Sequence, residues 1–225
     1  MSRFRQTLGQ ALRGTQASAN RLAEWPPATV PQLLQLVWTA YDRLITKKLS
    51  RIDLETSDLQ LERSVSEHLH NEIQLLLREK GGYASYLIAQ EKFEYESLDP
   101  KSNRPPQYDI AFVWCDDTTI IWPCEAKVLR REGDVAAYLA DVREAFLFCV
   151  YAPFSSSGAM LGLLVTGKPH QALAHIENKL QTTLERFTGH ARRPHRTSNH
   201  LRTIPVGKSY PTSFTLHHLI LSLQP

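Results

Sequence analysis

Residues Ala159–Thr166 read AMLGLLVT, an apolar run closed by a single threonine and then Gly167. A strand of this composition has no polar face to turn toward water, so both of its sides must be covered. That is the environment of an interior, parallel strand in a sheet with helices on both faces, and it predicts a layered α/β architecture. The runs around Phe146–Phe154 and Gly158–Val165 are each only about ten residues, whereas a membrane-spanning helix needs about 20, so no span is expected. At 225 residues, 42% hydrophobic and 22% charged, the chain has the composition of a globular protein. Its length suits one large domain, or one domain with a helical extension.

The elements around this strand follow from periodicity. After a polar stretch over residues 1–24, read as a frayed helix or a flexible arm, Trp25-Pro26-Pro27 breaks the chain. Thr29–Lys47 places Leu33, Leu36, Val37, Tyr41, Leu44 and Ile45 on one helical side. Ser57–Lys80 reads as a second helix, and Tyr86–Glu96, Tyr108–Cys115 and Thr119–Leu129 as three strands. A helix follows from Gly133 to about Val150, with an apolar stripe of Val135, Leu139, Val142, Phe146 and Val150. It serves as a right-handed crossover to the Ala159–Thr166 strand. Pro169–Phe187 is a further helix and Ser213–Leu223 a terminal strand, with a basic loop between them. The domain reading is a helical N-terminal extension over residues 1–50 and one α/β domain with a mixed central sheet over residues 51–225.

Two patterns carry chemistry. In the Ser57–Lys80 helix, Leu61, Val65, Leu69, Ile73 and Leu76 share a face, and Glu62 falls in its middle. Glu72 lies toward the rim and Glu67 on the opposite side. A carboxylate on a buried stripe is expensive unless it is paired or meets a cation. The second pattern is the hairpin joined at Asp116-Asp117-Thr118. With a three-residue loop, Asp109 faces Glu125, and Lys127 projects from the same face. A two-residue loop would instead pair Asp109 with Cys124. Adjacent carboxylates repel unless a cation lies between them, and a hard divalent ion with oxygen ligands meets that need. Such an ion also suits phosphodiester hydrolysis, in which a nearby lysine can orient water or neutralise developing charge.

On these residues the chain resembles the PD-(D/E)XK nucleases, the restriction-endonuclease-like superfamily. Asp109 in PQYDIAF and Glu125-Ala126-Lys127 in PCEAK match its motif, and Glu62 in LERSVSEHL matches the glutamate many members carry on the first helix. The helix-strand-strand-strand-helix-strand order matches its core, and the resemblance covers about residues 57–167. The resemblance implies that Asp109, Glu125 and the Ala126 carbonyl bind Mg²⁺ or Mn²⁺, that Lys127 is the catalytic lysine, and that Glu62 completes the acidic set. It implies a DNA endonuclease more readily than one for RNA, in a setting such as bacterial anti-phage defence. Tyr108 stands where proline is usual, and Pro123 predicts a bulge or an edge in the third strand. The rival reading is a non-catalytic nucleic-acid-binding or assembly protein that keeps the fold. Under it the N-terminal helices are a docking surface for a homodimer or a larger complex.

Other features take lesser roles. Arg130, Arg131 and Arg143 are candidate phosphate contacts beside the metal, with plain surface charge as the alternative. Residues 186–225 contain Arg192, Arg193 and Arg196 among six Lys or Arg and no acidic residue, a basicity hidden by the net charge of +3. That segment either holds a nucleic-acid backbone or is a solvated loop. His190, His195 and His200 lack the hairpin-and-helix frame of a His-Asn-His nuclease, and His217-His218 fit the final strand with one side chain in and one out. No glycine-rich phosphate loop and no G-x-S-x-G elbow occurs. The opening MSRFRQTLGQALRGTQ has no apolar block, and Cys115, Cys124 and Cys149 form no C-x-x-C pair. A cytoplasmic, reduced setting is therefore expected.

Overall fold

A computed structural model describes residues 29–79, 81 and 85–224. The polar stretch 1–24 and the Trp25-Pro26-Pro27 break lie outside the described residues. Helices α1 (Thr29–Lys47) and α2 (Asp58–Glu79) precede strands β1 (Tyr86–Phe93), β2 (Gln107–Trp114) and β3 (Ile121–Leu129). Helix α3 (Ala136–Ala140) runs into a π-helical turn at Asp141–Phe146 and leads to β4 (Ser157–Leu164). Helix α4 (Pro169–Leu180), the short β5 (Glu185–Arg186), β6 (His195–Leu201) and β7 (Ser213–Ser222) complete the chain. The seven strands form one mixed sheet in the order β1-β2-β3-β4-β7-β6-β5. The pairs β3–β4 and β4–β7 are parallel and the rest are antiparallel.

The apolar strand occupies the middle of this sheet, as its composition requires. On one face Leu161 and Leu163 join Leu33, Val37, Trp38, Leu61, Leu69 and Ile73 of α1 and α2. On the other, Met160 and Leu164 join Tyr138, Val142, Leu173 and Ile176 around α3 and α4. Helix α1 thus shares one core with α2 and the sheet, and its Tyr41 hydroxyl donates to the Ser222 carbonyl at 2.8 Å. Gly162 is the tight spot of β4. A Cβ there would stand 2.7 Å from Ile220 Cδ1 and 3.0 Å from Leu129 Cδ1.

The β2–β3 hairpin adopts the register expected of a three-residue loop, with Ile110 opposite Cys124 and Val113 opposite Ile121. Pro123 sits within a central strand without a bulge or an edge. Trp114 N–H donates to the Ile120 carbonyl at 3.0 Å. By alternation Ala111–Pro123 is then a pair that exchanges no hydrogen bonds. Pairing to β4 begins one residue later, at Cys124, so the missing N–H is not needed on either side.

Three further expectations about the elements need correction. The helix expected to reach Phe187 ends at Leu180, where Gln181 turns left-handed at φ +56° and the Glu177 carboxylate accepts the Leu184 N–H. The helix expected to reach Val150 becomes a π turn after Ala140. The basic loop contains β6, which pairs with β7 along His195–Leu201. HRTSNHL lacks an apolar face, but its His195, Thr197 and Ser198 are buried, and His195 and Ser198 find polar partners in His217 and His218 that strand periodicity does not register.

Candidate active site at the open edge of the third strand

The site arises where β2 and β3 separate. Their ladder ends at Ile110–Cys124, although the register continued would set Asp109 opposite Glu125. Beyond that point β3 keeps its β4 partner but presents free N–H groups on the β2 side. Two carboxylates take them. Ala126 N–H donates to Asp109 Oδ2 at 2.8 Å, and Val128 N–H donates to Glu62 Oε1 at 3.0 Å. Glu62 therefore leaves the apolar face of α2 sideways, reaching over the strand edge rather than into the core. Glu72, expected at the rim, is the buried acid of α2 and pairs with Lys48 at 2.8 Å. Glu67 is exposed, as its phase requires.

Lys127 Nζ lies at the centre. It is 3.0 Å from Glu125 Oε1, 2.9 Å from the Ala126 carbonyl, 3.1 Å from Asp141 Oδ2 and 3.5 Å from Glu62 Oε2. Burial alone would lower its pKa, but Glu125, Asp141, Glu62 and Asp109 outweigh that and hold the ammonium charged. The carboxylates respond in the opposite sense. Burial pushes Glu125 well above the usual carboxylate range, with repulsion from Asp109 adding to it and Lys127 only partly offsetting. Asp109 and Glu62 are also raised, burial again leading. Glu125 Oε2 is buried without a hydrogen-bond partner among the described residues. Among the described residues four carboxylates share one ammonium, and a further cation would relieve the crowding that raises three of them.

Asp141 was not foreseen. It stands at the start of the π turn, where the widened helix departs from the phase on which the apolar stripe was read. Tyr151, also unforeseen, brings its hydroxyl to 3.5 Å from Glu125 Oε1. It follows Cys149 at φ +58° and precedes Ala152 at φ +51°, in a segment that has no regular period. That segment is held by Arg202. Its guanidinium, buried over the Phe214 ring, donates to the carbonyls of Phe146, Tyr151 and Ser155 at 3.1, 2.9 and 2.9 Å.

The candidate phosphate contacts are mostly engaged elsewhere. Arg130 binds Asp58 at 2.7 Å and the Leu54 and Thr56 carbonyls, fastening the loop before α2. Arg143 donates to the Lys179 carbonyl, while the exposed Arg131 lies 3.4 Å from Asp134. Arg192, Arg193 and Arg196 come together with Arg186 around a shallow groove of about 350 Å³ that shares no residue with the carboxylate cluster. Arg193 is partly committed there, to Asp42 at 2.5 Å and to the Trp38 ring at 5.1 Å.

The donor set at the strand edge is all oxygen, which suits a hard divalent cation. The buried, unpartnered Glu125 oxygen and the surplus of carboxylates fit such an ion. Among the described residues no three His, Cys, Asp or Glu side chains stand close enough to hold a metal by themselves. The expected set of Asp109, Glu125 and the Ala126 carbonyl has only two side chains, and Lys127 takes the carbonyl. No protein-family model, curated protein or solved structure matches the chain. No helix among the described residues is long and apolar enough to cross a membrane.

Proposed function

We propose that the protein is a divalent-metal-dependent nuclease of the PD-(D/E)XK type, acting on DNA more readily than on RNA. The observation that carries this reading is the buried Glu125 carboxylate, with one oxygen unpartnered, inside a cluster of four carboxylates around Lys127. Burial and the repulsion of Asp109 raise Glu125, a cost that a bound cation would relieve and a purely structural ion-pair network has no reason to incur. The order α2-β1-β2-β3-α3-β4, with β3 and β4 parallel, supports the restriction-endonuclease-like topology.

Asp109, Glu125 and the Ala126 carbonyl would hold Mg²⁺ or Mn²⁺, which supplies charge to polarise a phosphodiester and to acidify water. The chain's own contribution is positional. Asp109 is pinned by the Ala126 N–H and Glu62 by the Val128 N–H, so both acids are registered to the backbone of one strand. Lys127, surrounded by Glu125, Asp141 and Glu62, stays protonated and can neutralise charge developing on the phosphate. Tyr151, its hydroxyl 3.5 Å from Glu125, and Asp141 of the π turn flank the site on the α3 side.

A cleavage assay on plasmid, single-stranded DNA and RNA, in Mg²⁺, Mn²⁺ or EDTA, tests the reading. Cutting is expected with metal only, and Asp109→Ala and Glu125→Ala are expected to abolish it. Binding without cutting under every metal would favour the non-catalytic rival.

A further inference from the structure

A groove of about 700 Å³ opens directly beside the carboxylate cluster and shares Asp141 and Tyr151 with it. It lies between the loop joining β1 to β2 and the π turn with the residues after it. Two large rings in it face solvent: Phe93 is 43% exposed and Phe148 53%. Leaving such rings in water is unfavourable, and together in one groove they make a surface for a flat apolar ligand.

The polar groups of the groove narrow the ligand further. Glu144 pairs with Lys101 at 2.5 Å and Asp141 with Lys127 at 3.1 Å, each through one oxygen, which leaves the second carboxylate oxygen to accept a hydrogen bond. Arg104, exposed at the rim, makes no ion pair among the described residues. The fitting ligand is therefore planar and apolar-faced, carries N–H donors at its edge, and is attached to an anion that can reach a guanidinium. A nucleobase within a strand has each of these properties. A base stacked inside a duplex cannot offer its face to Phe93 or Phe148, whereas an unpaired one can.

We infer that this groove receives an unstacked base of the nucleotide next to the scissile phosphate, so that the substrate is single-stranded or frayed nucleic acid rather than continuous duplex. The inference rests on the nuclease reading of the adjoining cluster, which supplies the phosphate's position. Base–aromatic stacking is strong enough to decide strand preference, and it tolerates different bases because each has a π face.

Binding measured in EDTA separates this inference from catalysis. The probe is a single-stranded oligonucleotide carrying 2-aminopurine, compared with the same sequence as a blunt duplex. The expected result is tighter binding of the single strand, with fluorescence quenched as the base stacks. Replacing both rings, Phe93→Ala with Phe148→Ala, should weaken single-strand binding about tenfold or more and remove the quenching, leaving duplex affinity unchanged. Phe148→Trp should retain both signals, which guards against a folding defect in the double variant. If wild type cleaves in Mg²⁺ but the double variant keeps its single-strand affinity and quenching, the groove assignment is overturned and the nuclease reading stands. If ring-dependent binding is present but no metal supports cleavage, the groove assignment is supported and the nuclease reading falls.

Discussion

Two regions of this protein bury titratable groups, and they manage the burial in opposite ways. At the open edge of β3 four carboxylates crowd one ammonium, and burial with mutual repulsion raises Glu125, Asp109 and Glu62 while Lys127 stays charged. In the middle of β6 and β7 they are histidines, and burial keeps them neutral. His195 Nδ1 lies 3.4 Å from the Trp38 indole nitrogen, and its Nε2 lies 3.2 Å from His217 Nδ1. On the other face His218 is bridged by the Tyr138 hydroxyl at 2.8 Å and the Ser198 hydroxyl at 2.7 Å, with His200 on the same Ser198. The expectation of one His217-His218 side chain in and one out becomes two buried side chains, because β7 is covered on both faces. Neutral rings can satisfy one another by hydrogen bonding, so this region is explained by packing alone. The carboxylate cluster lacks a comparable internal solution, since Glu125 keeps a buried oxygen without a partner among the described residues.

The largest expected effect comes from removing the single cation of the cluster. Lys127→Met should abolish cleavage and also destabilise the protein by about 3–5 kcal/mol in EDTA, since it strands buried carboxylates. Denaturant unfolding checks this. A stability unchanged from wild type would mean that the carboxylates are already protonated and that the contrast with the histidines is false.

Acidification probes the histidine side of the comparison. Burial lowers His217 to about 4 and His218 to about 3 from an ordinary value near 6.5. Depressed histidines bind fewer protons folded than unfolded. The histidines' contribution to stability should therefore be full above about pH 6.5 and fall as pH drops toward 4 and then 3, by about 1.4 kcal/mol per pH unit for each histidine titrating. The raised Glu125, Asp109 and Glu62 contribute an opposite change. His218→Gln should make the pH profile shallower by one proton between those limits. An unaltered slope would remove His218 from the account.

Glu62→Gln is a smaller perturbation in the folded state. The amide oxygen can still accept the Val128 N–H, while one crowded negative charge is lost. Cleavage should fall strongly with no drop in Tm in EDTA, and Glu67→Gln should alter neither. A large Tm loss with normal cleavage would make Glu62 a structural partner of Lys127. The smallest effect belongs to the C-terminal arginines. Neutralising Arg192, Arg193 and Arg196 together should weaken nucleic-acid binding and flatten its salt dependence, since fewer counterions are released. An identical salt slope would leave their groove without a role in binding.

Much of the candidate site is legible in the sequence. Asp109, Glu125 and Lys127 share a face because strand alternation and loop length set a hairpin register, and both are local properties. Glu62 was legible as an anomaly, a charge on an apolar helical stripe. Asp141, Tyr151 and Arg202 were not. Asp141 depends on a π turn that shifts helical phase, Tyr151 on a segment with left-handed residues, and Arg202 on carbonyls about 50 positions upstream. Arg130 looked like a phosphate contact because its neighbour in sequence is the motif, while its real partners precede α2.

Periodicity and composition by themselves determined the layered α/β plan, the central place of the AMLGLLVT strand and the shared face of the motif residues. These follow from where apolar side chains must go. Only the tertiary structure decided that β2 and β3 part after Ile110–Cys124, and that Asp109 and Glu62 cap the freed N–H groups. It also decided that Lys127 meets Asp141 and that a polar segment completes the sheet as β6. Those outcomes depend on hydrogen bonds and charges between residues far apart in the chain, and neither leaves a period in the sequence.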